Sequence, residues 1–345
     1  MNLQALVRPN IWNLVPYSSA RSEFTGAASV FLDANENPFN NPYNRYPDPL
    51  QQEVKALIAQ LRDVAAGQIF LGVGSDECID VVYRTFCRPG VDNVVAIAPS
   101  YGMYEVCADI NDVEYRRVPL NDDFSLNADA LLAAADENTK VMWICSPNNP
   151  TGNAFALGEI EALCSRFRGI VVVDEAYIDF STRGSMLSCL DSLPNLIVMQ
   201  TLSKAWGSAS VRLGIAYASA EIIGIFNKVK YPYNINLLTQ RYAIDRLERH
   251  SEVAAWVELL KANRQWLIEA LGSLRCVKHI YPTDANFVLV RVSDADAIYD
   301  YLRAGGIIVR NRNRVEKCLG CLRITVGTAE ENEKLINALN EYGKE

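Results

Sequence analysis

Val171-Val172-Val173-Asp174-Glu175-Ala176-Tyr177 decides the reading of the chain. Three β-branched residues in a row, bounded by polar ones, describe a short strand buried on both faces. The aspartate that follows leaves the core at the strand's carboxyl end, where an anion is costly unless donors or a cation face it. Working outward, Val94-Val95-Ala96-Ile97, Val141-Met142-Trp143-Ile144 and Leu196-Ile197-Val198-Met199 repeat the apolar run. Amphipathic stretches, Leu126 to Ala135 and Leu157 to Phe167 among them, lie between these runs. Such alternation predicts an α/β fold, with a mostly parallel central sheet covered by helices.

Further along, 254–271 reads as one long helix, 285–292 and 322–326 as strands of a different unit, and 330–342 as a closing helix. The expected organisation has three parts. Residues 1–40 form an N-terminal segment that contributes to a smaller domain and to the active-site entrance. Residues 41–255 form the large domain, and residues 256–345 form the smaller α+β domain.

Composition narrows the class. The 345 residues are 50% hydrophobic, enough for a substantial core, and the net charge of -8 comes without a long run of either sign. Nucleic-acid binding calls for a basic surplus, so no such partner is expected. Met1 to Asn13 contains Arg8 and Pro9 and lacks the apolar core of an export signal. No apolar run approaches the ~20 residues of a membrane-spanning helix, so no membrane partner is expected either. Nine scattered cysteines suit buried thiols in a cytoplasmic protein. Cys318 and Cys321 are the one close pair, and no second pair or nearby histidine completes a zinc site. The two histidines, His250 and His279, have no motif context, so no metal site is expected.

In an open α/β sheet the ligand lies beyond the carboxyl ends of the strands. Three of those ends are unusually polar: Ser146-Pro147-Asn148-Asn149-Pro150-Thr151-Gly152, Asp174-Glu175-Ala176-Tyr177, and Thr201-Leu202-Ser203-Lys204. A protonated pyridine nitrogen is one cation that Asp174 could meet, and an aspartate there keeps such a ring electron-withdrawing. Tyr177, three residues on, could return to the same ring. Lys204 has the side chain for Schiff-base chemistry, and Ser203 and Arg212 can hold a phosphate beside it. Gly72-Val73-Gly74-Ser75-Asp76-Glu77 precedes a helical pattern and offers backbone N–H groups to an anion. It matches neither the dinucleotide fingerprint nor the P-loop.

Together these segments resemble the fold-type-I pyridoxal-phosphate aminotransferases over nearly the whole chain. The resemblance implies pyridoxal 5'-phosphate as cofactor, bound by the large domain. Lys204 would be the catalytic lysine and form the Schiff base with it. Asp174 would pair with the pyridinium nitrogen, and Asn149 and Tyr177 with the ring hydroxyl oxygen. Tyr101 would stack on the ring, while Ser75, Asp76, Ser203 and Arg212 would surround the phosphate. The family often has Ala-Gly-Leu-Arg where Ala209-Ser210-Val211-Arg212 stands, a departure in packing more than in chemistry.

Three further segments are similar to histidinol-phosphate aminotransferases: Leu32-Asp33-Ala34-Asn35-Glu36-Asn37-Pro38, Arg45-Tyr46-Pro47-Asp48-Pro49 and Cys321-Leu322-Arg323-Ile324-Thr325-Val326-Gly327. The resemblance implies substrate contacts from Asn35, Tyr46, Arg310 and Arg323, with Tyr17 closing the entrance. Tyr46 would cross into the neighbouring site of a homodimer and join the cofactor's surroundings there. Arg323 would meet the amino-acid carboxylate and Arg310 the phosphate of histidinol phosphate, although Arg310, Arg312 and Arg314 alternate and any of them could face the pocket. The implied reaction exchanges L-histidinol phosphate and 2-oxoglutarate for imidazole acetol phosphate and glutamate, in histidine biosynthesis. A threonine-phosphate decarboxylase or an aromatic amino-acid aminotransferase would share the cofactor motifs. A pyridoxal-phosphate-sensing regulator would need an added DNA-binding unit that the chain does not show.

Overall fold

The computed structural model describes residues 2–17 and 29–343. A seven-stranded sheet forms the larger unit: β1 (Ile69–Val73), β2 (Asn93–Ala98), β3 (Glu114–Pro119), β4 (Thr139–Cys145), β5 (Ile170–Asp174), β6 (Leu196–Thr201) and β7 (Leu213–Tyr217), in the order β1-β7-β6-β5-β4-β2-β3. β6, β5, β4, β2 and β3 run parallel, and β7 alone opposes its neighbours β1 and β6. The apolar runs are the centre of this sheet: every residue of β2, β5 and β6 is buried. These central parallel strands are covered on both faces, so a run of polar residues inside them would be buried, and their polarity is confined to where they end. The edge strand β3 instead carries Glu114, Arg116 and Arg117 along its length.

A second sheet, in the order β10-β11-β9-β8, joins β8 (Val277–Ile280), β9 (Phe287–Val292), β10 (Arg310–Asn311) and β11 (Cys321–Thr325), all antiparallel. It has its own core, which includes Val288, Val290, Leu322 and Ile324. The helix His250–Gly272 serves both cores, contributing Val253 and Val257 to the larger and Leu267 and Leu271 to the smaller. The boundary expected between residues 255 and 256 falls inside this helix.

Residues 3–12, part of the segment expected to join the smaller domain, pack on the larger unit instead. Leu3 and Val7 are in its core, Leu6, Ile11 and Trp12 lie against it, and the Arg8 N–H donates to Thr85 O at 3.0 Å. Residues 18–28 of that segment lie outside the described residues. Among the described residues no helix is long and apolar enough to cross a membrane. Cys318 and Cys321 are both buried and free, and burial pushes both thiols up, away from the reactive thiolate.

Beside Asp174, the carboxylate of Glu175 is buried too. It accepts from Ser185 Oγ at 2.5 Å, the Met186 N–H at 2.7 Å and Gln200 Nε2 at 3.0 Å, which ties the end of β5 to β6 and to the turn at 185–186. Burial pushes its carboxyl from the ordinary 4.5 up to about 7, against those three donors and the nearby Arg62 charge. A group with a raised pKa holds its proton more tightly in the folded state. Its stabilising effect is therefore full below about 4.5 and fades as pH rises through about 7. Thermal unfolding should show wild type losing stability relative to Glu175→Gln across that interval, and parallel curves would refute this.

Candidate active site

Because β4, β5 and β6 are parallel neighbours, their carboxyl ends meet on one edge of the sheet. There they enclose a cavity of about 180 Å³. Asp174, Asn149, Tyr177, Ser203 and Lys204 line it from the ends of these three strands. Ser75 and Asp76 reach it from the start of the helix Gly74–Phe86, Tyr101 from the loop after β2, and Arg212 from the turn before β7. Nine residues singled out from the sequence thus share one cavity.

Asp174 is 3% exposed. Tyr104 donates its hydroxyl to Oδ2 at 2.6 Å, and the Ala176 N–H donates to Oδ1 at 3.0 Å. Burial pushes the carboxyl above its ordinary value; the two hydrogen bonds and the charge of Lys204 pull against that rise. Both direct donors are neutral. The cavity therefore presents an acceptor whose charge would be stabilised by a cationic ligand.

The opposite preference is built around Gly74. Its φ is +69°, and a Cβ there would stand 2.2 Å from Arg212 Nη2, so only glycine lets the guanidinium lie against the helix start. A Cβ on Gly214 would stand 2.3 Å from the Ser75 nitrogen, which fixes β7 equally close. Arg212 itself takes a left-handed conformation, φ +56°, a strained backbone of the kind that concentrates at functional sites. It bonds Asp76 Oδ2 at 3.1 Å and Ala209 O at 3.2 Å, and Tyr101 donates to Asp76 Oδ1 at 3.2 Å. Open helix N–H groups, a guanidinium and Ser203 make a seat for an anion. A buried carboxylate and an anion seat in one cavity fit a ring cation that carries a phosphate, and the donor set suits pyridoxal phosphate.

Lys204 Nζ lies 5.6 Å from the centre of the Tyr177 ring. Its side chain opens to solvent through the cavity, yet its pKa is pulled down. Loss of water is the largest cause, followed by the charges of Arg323 and Arg212, against Asp174 and Asp76. A lowered pKa leaves more neutral amine, the form that acts as nucleophile or base.

The second sheet closes on this edge. Arg323 on β11 donates to Asn149 Oδ1 at 2.5 Å and lies over the Phe287 ring at 5.2 Å, and Phe287 meets Tyr177 edge-on. The Nε of Arg323 is buried without a hydrogen-bond partner among the described residues. Arg310 pairs with Arg323 across the β10–β11 ladder and is exposed. The remaining expected contacts lie elsewhere. Tyr17 is 75% exposed. Asn35 and Tyr46 line a separate cleft of about 510 Å³ with Asn236 and Leu238, and Tyr46 stacks on Tyr233 at 4.5 Å.

The family model for aminotransferase class I and II matches residues 23–339. A histidinol-phosphate aminotransferase of Bacteroides fragilis (strain YCH46) is 59% identical over 341 residues, 99% of each chain. Among solved structures, the histidinol-phosphate aminotransferase from Clostridium acetobutylicum matches with a TM-score of 0.81 at 22% identity, over 88% of this chain and 91% of that one. The L-threonine-O-3-phosphate decarboxylase from Porphyromonas gingivalis matches with 0.75, also at 22%, over 88% and 92%. At such identity both carry the fold alone.

Two residues of the site were not singled out from the sequence. Asn148 bonds Pro99 O at 2.9 Å, Thr151 Oγ1 at 2.8 Å and Ser100 Oγ at 3.0 Å, and so ties the loop of Tyr101 to that of Asn149. Tyr104 is fully buried, stacked on Trp143 at 4.8 Å. Its position on the helix Met103–Ile110, three residues past Tyr101, was the only available signal, and it reads equally as core. Tyr104→Phe strands a buried carboxylate oxygen, so urea unfolding of the cofactor-free protein should show a loss of about 1–3 kcal/mol. Tyr101→Phe, which removes a half-buried hydroxyl, should cost less than ~1 kcal/mol. Equal losses would mean that the Asp174 contact contributes nothing special.

Proposed function

The chain belongs to the histidinol-phosphate aminotransferase family of class I and II aminotransferases, and on that premise we propose the reaction and the residues that perform it. It interconverts L-histidinol phosphate plus 2-oxoglutarate with imidazole acetol phosphate plus L-glutamate, a step of histidine biosynthesis, on a fold-type-I scaffold. The single observation that carries the assignment of residues is the convergence of Asp174, Lys204 and Arg212 on one cavity, closed by Arg323 from the second sheet. The 59% identity to a histidinol-phosphate aminotransferase favours this reaction over phosphothreonine decarboxylation.

Pyridoxal 5'-phosphate, when bound, supplies a carbonyl that takes up amines reversibly and a ring that withdraws electrons from them. Asp174 would hold the ring nitrogen protonated, and Tyr101 would stack on the ring. Asn149 and Tyr177 donate to the ring hydroxyl oxygen. The backbone of Ser75 and Asp76, with Ser203 and Arg212, binds the phosphate. Lys204 would anchor the cofactor, and its neutral Nζ would take the proton from the substrate α-carbon. The environment that lowers its pKa keeps that amine available at neutral pH. Arg323, whose Nε has no partner among the described residues, would receive the carboxylate of glutamate, and Arg310 stands beside it for the substrate phosphate. Because the amino group is stored between two half-reactions, the kinetics are ping-pong.

Tyr46 and Asn35 belong, in this reading, to the neighbouring site of a homodimer. Their place in a cleft apart from their own chain's cavity supports this, as does the exposure of Tyr43, Tyr46 and Leu238 around it. Tyr17 closes the entrance. In this reading the large cofactor-binding domain is 41–255 and the smaller one 256–345, with the helix His250–Gly272 crossing from one to the other. Its small-molecule substrates and nine free thiols support a cytoplasmic enzyme.

An absorbance scan of the cofactor-loaded protein tests the proposal. L-histidinol phosphate without a keto acid should abolish the visible band, and 2-oxoglutarate should restore it. Lys204→Ala should lack the band and nearly all turnover, because the covalent anchor is gone. A band indifferent to L-histidinol phosphate but lost on adding glutamate would leave an aminotransferase with another amine substrate.

A further inference from the structure

The strand that carries Arg310 ends at Asn311, the chain turns at Asn313-Arg314, and the structure separates the three arginines. Side chains alternate across a strand, so Asn311 lies on the face opposite Arg310, and Asn313, whose N–H donates to Asn311 Oδ1 at 2.8 Å, turns beside it. Both asparagines bind the same carboxylate: Asn311 Nδ2 donates to Asp296 Oδ1 at 2.6 Å and Asn313 Nδ2 to Oδ2 at 2.8 Å. Asp296 lies in the first turn of the helix Ala295–Ala304, so these bonds fasten this segment to the smaller unit on the side opposite Arg310. Arg310 pairs with Arg323, and the Arg312 N–H donates to Cys321 O at 2.9 Å, extending the ladder one step.

Arg314 does not share in this. It is exposed, and its charge acts on Asp296. Arg312 is half-buried, and its Nε is buried with no hydrogen-bond partner among the described residues, as is that of Arg323. Loss of water first, and then the charges of Arg323 and Arg310, hold the Arg312 pKa down to about 10. Nearby Arg303 has the partner Asp300 at 3.0 Å, whereas no carboxylate among the described residues pairs with Arg310, Arg312 or Arg323. Three neighbouring guanidiniums without an acid among them repel one another, and an anion of more than one charge relieves the repulsion.

We propose that Arg312 is a specificity-determining residue for the phosphate of the amine substrate, holding its oxygens together with Arg310 while Arg323 is left for the carboxylate of the amino-acid partner. This rests on the proposed substrate reading. Two guanidiniums match the dianion of a phosphate monoester, and the buried Nε adds an inward-facing donor that exposed Arg310 lacks.

The test compares L-histidinol phosphate with L-histidinol as amine substrates of the full-length, cofactor-loaded enzyme. Arg312→Gln should lower kcat/KM for L-histidinol phosphate by about 10–100-fold, the weight of one charge-assisted bond, chiefly through KM. The same variant should keep kcat/KM for L-histidinol within about twofold, which also certifies its folding. Arg312→Lys, a charge without the fork, should recover part of the loss, and Arg314→Gln should change neither substrate. Equal losses for both amines, or no loss for either, overturn the role of Arg312. A wild type that uses both amines alike overturns the substrate reading itself, and the inference with it.

Discussion

A carboxylate buried at the end of a central strand, held by a tyrosine hydroxyl and one backbone N–H, is the constraint around which the site is arranged. Burial raises the pKa of Asp174, against its two donors and the charge of Lys204. What the protein gains is a fixed electrostatic preference. A cation that enters the cavity finds a partner already oriented and stripped of water, and little reorganisation is left for the moment of reaction. Tyr104 makes this possible because a neutral donor steadies the carboxylate without satisfying its charge. Glu175, one residue on, shows the contrasting solution, with three donors and no route to the cavity.

From that anchor the rest follows by adjacency. Parallel pairing of β4, β5 and β6 brings Asn149, Asp174 and Lys204 to one edge, and the crossing of β7 brings Arg212 back against the helix start at Gly74. The loop after β4 then meets the smaller unit. Asp284 N–H donates to Gly152 O at 2.7 Å, and Asp284 Oδ2 accepts from the Ala154 N–H at 2.9 Å. A Cβ on Gly152, φ +89°, would stand 2.5 Å from Thr283 Oγ1, so this approach depends on glycine. One loop thus carries Asn149, which faces the cavity, and the docking contacts of the unit that brings Arg323.

The central strands β2, β4, β5 and β6 were legible in the sequence because strands covered on both faces are apolar throughout, which leaves their polar ends conspicuous; the charged edge strand β3, and β1 and β7, were not. Lys204, Asp174 and Arg212 could be singled out for that reason. Tyr104 could not, since a buried tyrosine on a helix looks the same whether its hydroxyl meets a carbonyl or a catalytic carboxylate. The arginines at 310, 312 and 314 were equivalent by alternation alone. Only the bonds of Asn311 and Asn313 to Asp296, fifteen and seventeen residues away along the chain, orient this segment. Likewise, nothing local marks residues 3–12 as packing on the larger unit, because that contact depends on Thr85 and on the helix Ala220–Val229.

The claim that Asp174 exists to keep a ring nitrogen protonated is tested most directly by NMR of the protein loaded with cofactor labelled at that nitrogen with ¹⁵N. The wild type should show the shift of a protonated nitrogen throughout the neutral pH range, and Asp174→Asn should show a deprotonated one. A deprotonated nitrogen in the wild type, or a protonated one that survives Asp174→Asn, would contradict the account.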